Sequence, residues 1–276
     1  AGMIALWAIA PLHHPLNRCA VTGGALRRVL VEFIARSNNM LALRAHQRNL
    51  QDRVSWLAQE VEKATADILL REREIVLRLS RAAEFRDPET GSHILRMAHY
   101  SRHIARNLGL TEAVQKRLFE AAPMHDIGKL GVPDVILLKP GRLRPEEFEI
   151  MKMHAIHGYD ILKNSASDVL QAGAEIALTH HEKFDGSGYP RGLSGTEIPL
   201  FGRIVAVADV FDALTTKRPY KEAWPMEKAT GFIIENSGKH FDPACVNAFF
   251  KSWDKVLDIG LQFQDDYSFS IDEVVV

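Results

Sequence analysis

The sequence predicts an all-α protein, on three observations. From Val31 to Ala83 there is neither glycine nor proline, and helix formers dominate. Farther on, Ile94, Met97, Ala98, Ser101, Ile104, Ala105 and Leu108 recur at the spacing of one helix face. Starts and stops then alternate: Thr111, Pro145, Pro225 and Pro243 stand where helices begin, Gly109 and Gly238 where they end.

Taken in order, residues 1–30 are unassigned, because Pro11, Pro15 and the Gly23-Gly24 pair break every period. Residues 31–85 read as a long linker helix. Within it Leu50, Val54, Leu57, Val61, Ala64 and Ile68 form a short a/d seam that Arg71 interrupts. The helix either packs on its own domain or pairs with a second copy as a parallel stalk, and a homodimer through it is the expectation. Residues 86–276 form a compact multi-helix domain. Thr111 caps a helix to Ala122, and Pro145 with Glu146 and Glu147 suits the first turn of the next. Val169 to Glu182 reads as a helix, and Lys183 to Pro199, with four glycines and two prolines, as a loop. Arg203 to Thr215 is apolar enough for a buried strand, but its length and alanines favour a helix. Pro225 starts a further helix and Pro243 the last.

Composition excludes several classes. With 276 residues, 46% hydrophobic and 25% charged, the chain can bury a sizeable core. A formal charge of −1 argues against binding polymeric nucleic acid, though a small anionic ligand needs only a local patch. Two cysteines, Cys19 and Cys245, provide neither a disulfide framework nor a thiolate zinc cluster. The apolar stretch Met3 to Ala10 is too short to span a bilayer, and no basic segment precedes it. A cytoplasmic protein without a membrane span is expected.

The chemistry lies in scattered histidines and carboxylates. Glu89 and His93, four apart, share a helix face and can grip one cation. His125 and Asp126 are consecutive, His154 lies within an amphipathic helix, and His180-His181 end a helix before the glycine loop. Asp209 interrupts the apolar run Ile204 to Leu214, with Asp212 one turn later on the same face. Singly, each has an ordinary reading as a packed histidine or a surface carboxylate. Asp209 resists it, because a buried carboxylate is costly without a cation or donors. His99 and His103 are also four apart; they, with His13, His14, His46, His157 and His240, are assigned to surface or packing. Order carries the reading, not number.

That order, with His125-Asp126-Ile127-Gly128-Lys129, Lys139-Pro140-Gly141 and His180-His181-Glu182 leading into Gly188-Tyr189-Pro190, resembles the HD-GYP branch of the HD phosphohydrolase superfamily. The run Ala208 to Thr215 and Arg218-Pro219-Tyr220-Lys221 extend the likeness, which covers about residues 80–252. It implies a helical domain that hydrolyses cyclic dinucleotides, chiefly cyclic di-GMP, to pGpG and onward to GMP. Carried over by motif, the metal ligands are Glu89, His93, His125, Asp126, His154, His180, His181 and Asp209. Asp126 would bridge the cations and Lys129 assist at the phosphate; Lys129, Tyr189, Asp212, Arg218 and Lys221 would contact substrate. A glutamate at the place of Glu89 goes with a third ion in this family, so three divalent cations rather than two are expected. Imidazole and carboxylate ligands without thiolate suit iron, with manganese the alternative. Two cations roughly 3.5–4 Å apart lower the pKa of a shared water and clamp the phosphate oxygens, so that in-line attack expels the ribose 3′ oxygen.

Glu32-Phe33-Ile34-Ala35-Arg36 followed by Asn39-Met40-Leu41 resembles the end of a response-regulator receiver domain and its output linker. A receiver's acidic pocket, phosphoacceptor and strand pattern are not found before it, which points to a truncated or remodelled response regulator. The alternative activities are hydrolysis of 3′3′-cyclic GMP-AMP, a non-catalytic cyclic-dinucleotide sensor and, more distantly, a nucleoside triphosphate hydrolase of the wider HD group.

Overall fold

In the computed structural model, residues 19–86, 91–217 and 222–264 are described, with side chains from residue 23 onward and those of Gly91 excepted. Glu89, Arg218 and Lys221 fall outside these ranges. Ten α-helices and no β-strand occur among the described residues, so the all-α expectation holds. The helices are α1 (Cys19–Glu84), α2 (Gly91–Asn107), α3 (Glu112–Ala121), α4 (Asp134–Leu137) and α5 (Pro145–Leu162). They continue with α6 (Asp168–Thr179), α7 (Leu200–Thr215), α8 (Met226–Glu235), α9 (Pro243–Phe250) and α10 (Trp253–Gln262). Two short 3-10 segments, Ala122–Met124 and Ile127–Gly131, separate α3 from α4.

The chain divides into two units, Ala1–Asp67 and Ile68–Val276. In the first, α1 starts at Cys19 and runs through Gly23-Gly24, where a break had been expected. A glycine in a helix interior costs only about 1 kcal/mol, too little to end so long a helix. The seam residues are exposed: Leu50 48%, Val54 66%, Leu57 54% and Val61 65%. Arg36 and Glu32 pair at 2.6 Å within the helix.

The second unit includes the end of α1. Val76, Leu77 and Ala83 are buried, so the last turns of the helix belong to the compact unit. Past Arg71 the buried apolar residues of the helix serve the core of this unit.

That core is built on α2 and α7. Ile94, Met97, Ala98, Ser101, Ile104 and Ala105, the face read from periodicity, are all at most 2% exposed. Helix α7 buries Ile204 to Ala208, Phe211 and Leu214. Its length and period settle it as a helix apolar on most sides, the form that suits a central position. Caps follow the sequence in part. Pro145 opens α5, where Glu147 Oε2 accepts from the Arg144 backbone N–H at 2.8 Å. Thr111 holds the N-cap position of α3 but makes no side-chain capping bond. Two helices were missed: the short α4, and α10, which follows after Ser252 at φ +60° and buries Val256, so that Pro243 does not start the last element.

Candidate metal centre

Five elements bring the imidazoles and carboxylates together. His93 lies in the first turn of α2, and His125 and Asp126 stand between the two 3-10 segments. His154 comes from the middle of α5, His180 and His181 from the end of α6, and Asp209 from α7. All but His181 and Asp209 are buried. Two groups result, each with possible ligand atoms within 4.8 Å of one another: Asp126, His154, His180 and His181, and His93, His125 and Asp209.

Asp126 touches both. Its Oδ1 lies 3.2 Å from His154 Nε2 and 3.5 Å from His180 Nε2, while Oδ2 lies 3.3 Å from His125 Nε2. Asp209 Oδ1 is 3.7 Å from His93 Nε2 and 3.9 Å from His125 Nε2.

The far side of each ring fixes what faces inward. Nδ1 of His125 lies 3.2 Å from the Ala122 carbonyl, Nδ1 of His154 2.7 Å from that of Met151, and Nδ1 of His180 3.1 Å from that of Ile176. A carbonyl only accepts, so each Nδ1 carries the proton and donates. His93 Nδ1 donates likewise to Asp212 Oδ2 at 2.7 Å. Each Nε2 therefore faces the same acidic centre, where without a proton it offers a lone pair. His125, His154 and His180 Nε2 and Asp126 Oδ1 are buried and make no hydrogen bond among the described residues. Converging buried acceptors are costly by themselves, and cations are what such a donor set fits.

Electrostatics agree. Burial pushes the Asp126 carboxyl up, but the Lys129 ammonium beside it leads the effects that outweigh burial and hold the group well below the usual carboxylate range. Partial burial is the largest cause that pushes His181 well below the usual imidazole value, which favours the neutral ring that a cation needs. Lys129 Nζ lies 2.8 Å from Asp126 Oδ2.

The glycine loop borders the centre. The Tyr189 ring stacks on His181 with centroids 4.7 Å apart, and the Lys152 ammonium lies 5.6 Å from the tyrosine centroid. Gly188 has to be glycine here, because a Cβ would stand 2.3 Å from the Lys183 nitrogen and 2.5 Å from Glu182 Cα.

The structure thus assembles His93, His125, Asp126, Lys129, His154, His180, His181, Tyr189 and Asp209. Asp212, expected to contact substrate, lies behind His93. Asp212 is 1% exposed, and its carboxylate is taken by His93 and by Arg96 at 2.6 and 3.0 Å. Burial raises its pKa, but the bonds from His93 and Arg96 prevail and hold it at about 2. Two residues escaped the sequence reading. Arg96 could have been found, being three after His93 and so on its face. Glu182, 1% exposed, accepts from the backbone N–H groups of Arg191 at 2.7 Å and Leu193 at 3.0 Å, and so ties down the loop. Its only signal was its place beside His181.

The family model described as HD domain matches residues 47–245, most of the chain. The chain belongs to the HD domain family. This HD-domain chain is 42% identical over 254 residues to the cyclic di-GMP phosphodiesterase response regulator RpfG of Xanthomonas campestris, covering 90% of the chain and 67% of that relative. It is 51% identical over 193 residues to a cyclic di-GMP phosphodiesterase of Thermotoga maritima, covering 70% of the chain and 52% of that relative. The HD-GYP resemblance read from the motifs is thereby upheld. A crystal structure of a cyclic GMP-AMP specific phosphodiesterase of V. cholerae shares the fold, with a TM-score of 0.52 at 24% identity over 74% of the chain and 52% of that protein. The HD-domain chain thus spans about half to two thirds of these relatives.

Proposed function

We propose that the chain hydrolyses a phosphodiester bond of cyclic di-GMP at a centre of divalent cations. One observation carries this reading: the Asp126 carboxylate stands between two histidine groups, one oxygen toward His154 and His180 and the other toward His125. His125, His93 and Asp209 would hold one cation, and His154, His180 and His181 another, with Asp126 shared. Glu89, four residues before His93, would hold a third. Iron is expected ahead of manganese. When bound, such cations lower the pKa of a water and draw charge from the phosphodiester.

The remaining work falls to this chain's own groups. Asp126 stays ionised at neutral pH, so its two oxygens keep both halves of the centre in register. Lys129, held by Asp126, supplies a fixed cation where the phosphate oxygens or the leaving 3′ oxygen gain charge. Glu182 holds the loop so that Tyr189 remains against His181, where its ring can meet a guanine face. Arg218 and Lys221, three apart, would clamp the second phosphate. The exposed seam from Leu50 to Val61 would pair with a second copy, making a homodimer through α1. No helix among the described residues is long and apolar enough to cross a membrane. A cytoplasmic location is part of the same proposal.

The test is to incubate anaerobically purified, metal-loaded protein with cyclic di-GMP and with 3′3′-cyclic GMP-AMP. Release of pGpG from the first supports the reading. Faster cleavage of the mixed dinucleotide would transfer it to that substrate, and cleavage of neither would remove it. Elemental analysis of the same protein is expected to give about three cations per chain; about two would remove the role of Glu89.

A further inference from the structure

Arg86 lies two residues beyond the end of α1, and its guanidinium reaches into the catalytic side of the compact unit. Nη1 donates to the Leu130 carbonyl at 2.7 Å and to the Lys129 carbonyl at 3.3 Å. Nη2 donates to the Val132 carbonyl at 3.1 Å and to Asp134 Oδ1 at 2.5 Å. The Lys129 and Leu130 carbonyls belong to the last turn of the 3-10 segment Ile127–Gly131. The Lys129 carbonyl also accepts from the Val132 N–H at 3.0 Å, and carbonyls at a helix end carry partial negative charge, so a cation there is favourable. The planar fork of arginine can serve several of them at once, as an ammonium cannot.

This segment carries Lys129, whose Nζ lies 2.8 Å from Asp126 Oδ2. Its other side is pressed against α5: a Cβ on Gly128 would come within 1.9 Å of the His154 carbonyl oxygen. The segment is therefore held from two directions, by α5 and by Arg86. Among the described residues, the bonds from Arg86 tie it to the end of α1.

We infer that Arg86 is a positioning residue, holding the 3-10 segment so that Lys129 stays on Asp126, and carrying any displacement of the last turn of α1 to that lysine. Its kinetic consequence rests on the hydrolytic reading above; its structural consequence does not.

The experiment compares Arg86→Ala, Arg86→Lys, Lys129→Ala and the double Arg86→Ala/Lys129→Ala variant in the full chain. Arg86→Ala is expected to lower kcat roughly ten- to hundredfold, as small misplacements of a catalytic group do, with KM and metal content near wild type. Arg86→Lys restores part of the loss. In the Lys129→Ala background the Arg86→Ala change has no further effect, because the group it positions is gone. Full additivity in the double variant, or a loss of kcat that follows loss of metal or of melting temperature, overturns the inference. Amide hydrogen exchange provides a readout independent of turnover. In Arg86→Ala the amides of residues 127–132 exchange faster while those of α2 and α7 do not. Unchanged exchange at 127–132 overturns the clasp even in an active enzyme. Wild-type protein that cleaves no dinucleotide removes the proposed function, while the exchange data still decide the clasp.

Discussion

His93 Nδ1 donates to Asp212 Oδ2 at 2.7 Å, whereas His125, His154 and His180 direct Nδ1 to backbone carbonyls. The His93 ring is therefore aimed by a group that mutation can reach. Asp212 also neutralises the buried Arg96, so Asp212→Asn leaves one amide oxygen to satisfy two strong donors. Metal affinity at the His93, His125 and Asp209 group is expected to fall roughly 10–100-fold, the usual effect of losing such an orienting partner. The group around His154, His180 and His181 keeps its ion. Anaerobic dialysis followed by elemental analysis checks this, and an unchanged metal ratio would refute it.

Lys129 is 9% exposed and pairs with Asp126, yet the centre has other donors for its cations. Replacing it by methionine removes the charge and keeps most of the stem. Turnover is expected to drop on the order of 10²–10³-fold, as when one donor to a developing oxyanion is lost. Metal content stays at the wild-type level. If the metal is lost together with activity, Lys129 holds the centre together and does not act on substrate.

A Cβ added to Gly128 would fall 1.9 Å from the His154 carbonyl oxygen and 2.3 Å from the Gly158 nitrogen. Both are backbone atoms of α5, so no rotamer change relieves the clash. Gly128→Ala must force the 3-10 segment away from α5, separating Asp126 from His154. A loss of at least about 1–3 kcal/mol is expected from such overpacking, along with weaker metal binding. Chemical denaturation of the metal-free protein isolates the first effect. A variant as stable as wild type would show that the two segments do not close so tightly.

Much of this was legible in the sequence because it is local or periodic. The buried face of α2 follows from the spacing of Ile94, Met97, Ile104 and their neighbours, and α7 from its length. The gathering of His93, His125, His154 and Asp209 was not readable from spacing, since these groups meet only through packing; the family resemblance supplied it. Asp212 shows the same limit. Its position on the face of Asp209 is correct, but whether it points to substrate or to His93 depends on α2 crossing behind it. The division at Ile68 left no mark in the sequence, because helix propensity continues unbroken through it and only tertiary burial changes.

His99 provides a pH prediction away from the metal centre. Its ring stacks on Phe263 at 4.6 Å and meets Phe119 edge-on at 4.9 Å. Burial, with Arg102 adding repulsion, pushes its pKa from 6.5 down to about 4. His240, buried near Lys183, is also lowered to about 4. Between about pH 4 and 6.5 the unfolded chain therefore binds more protons than the folded one, so stability falls as pH drops through this window. Each group accounts for at most about 3 kcal/mol, and less where water reaches the ring. His99→Phe keeps the aromatic contacts and removes the titration, so its stability should fall less than that of wild type from pH 7 to pH 4.5. Urea midpoints of the two metal-free proteins at both pH values make the comparison, and contributions from the metal-centre histidines cancel in the difference. Equal losses in both proteins would mean that His99 takes up its proton in the folded chain as readily as in the unfolded one.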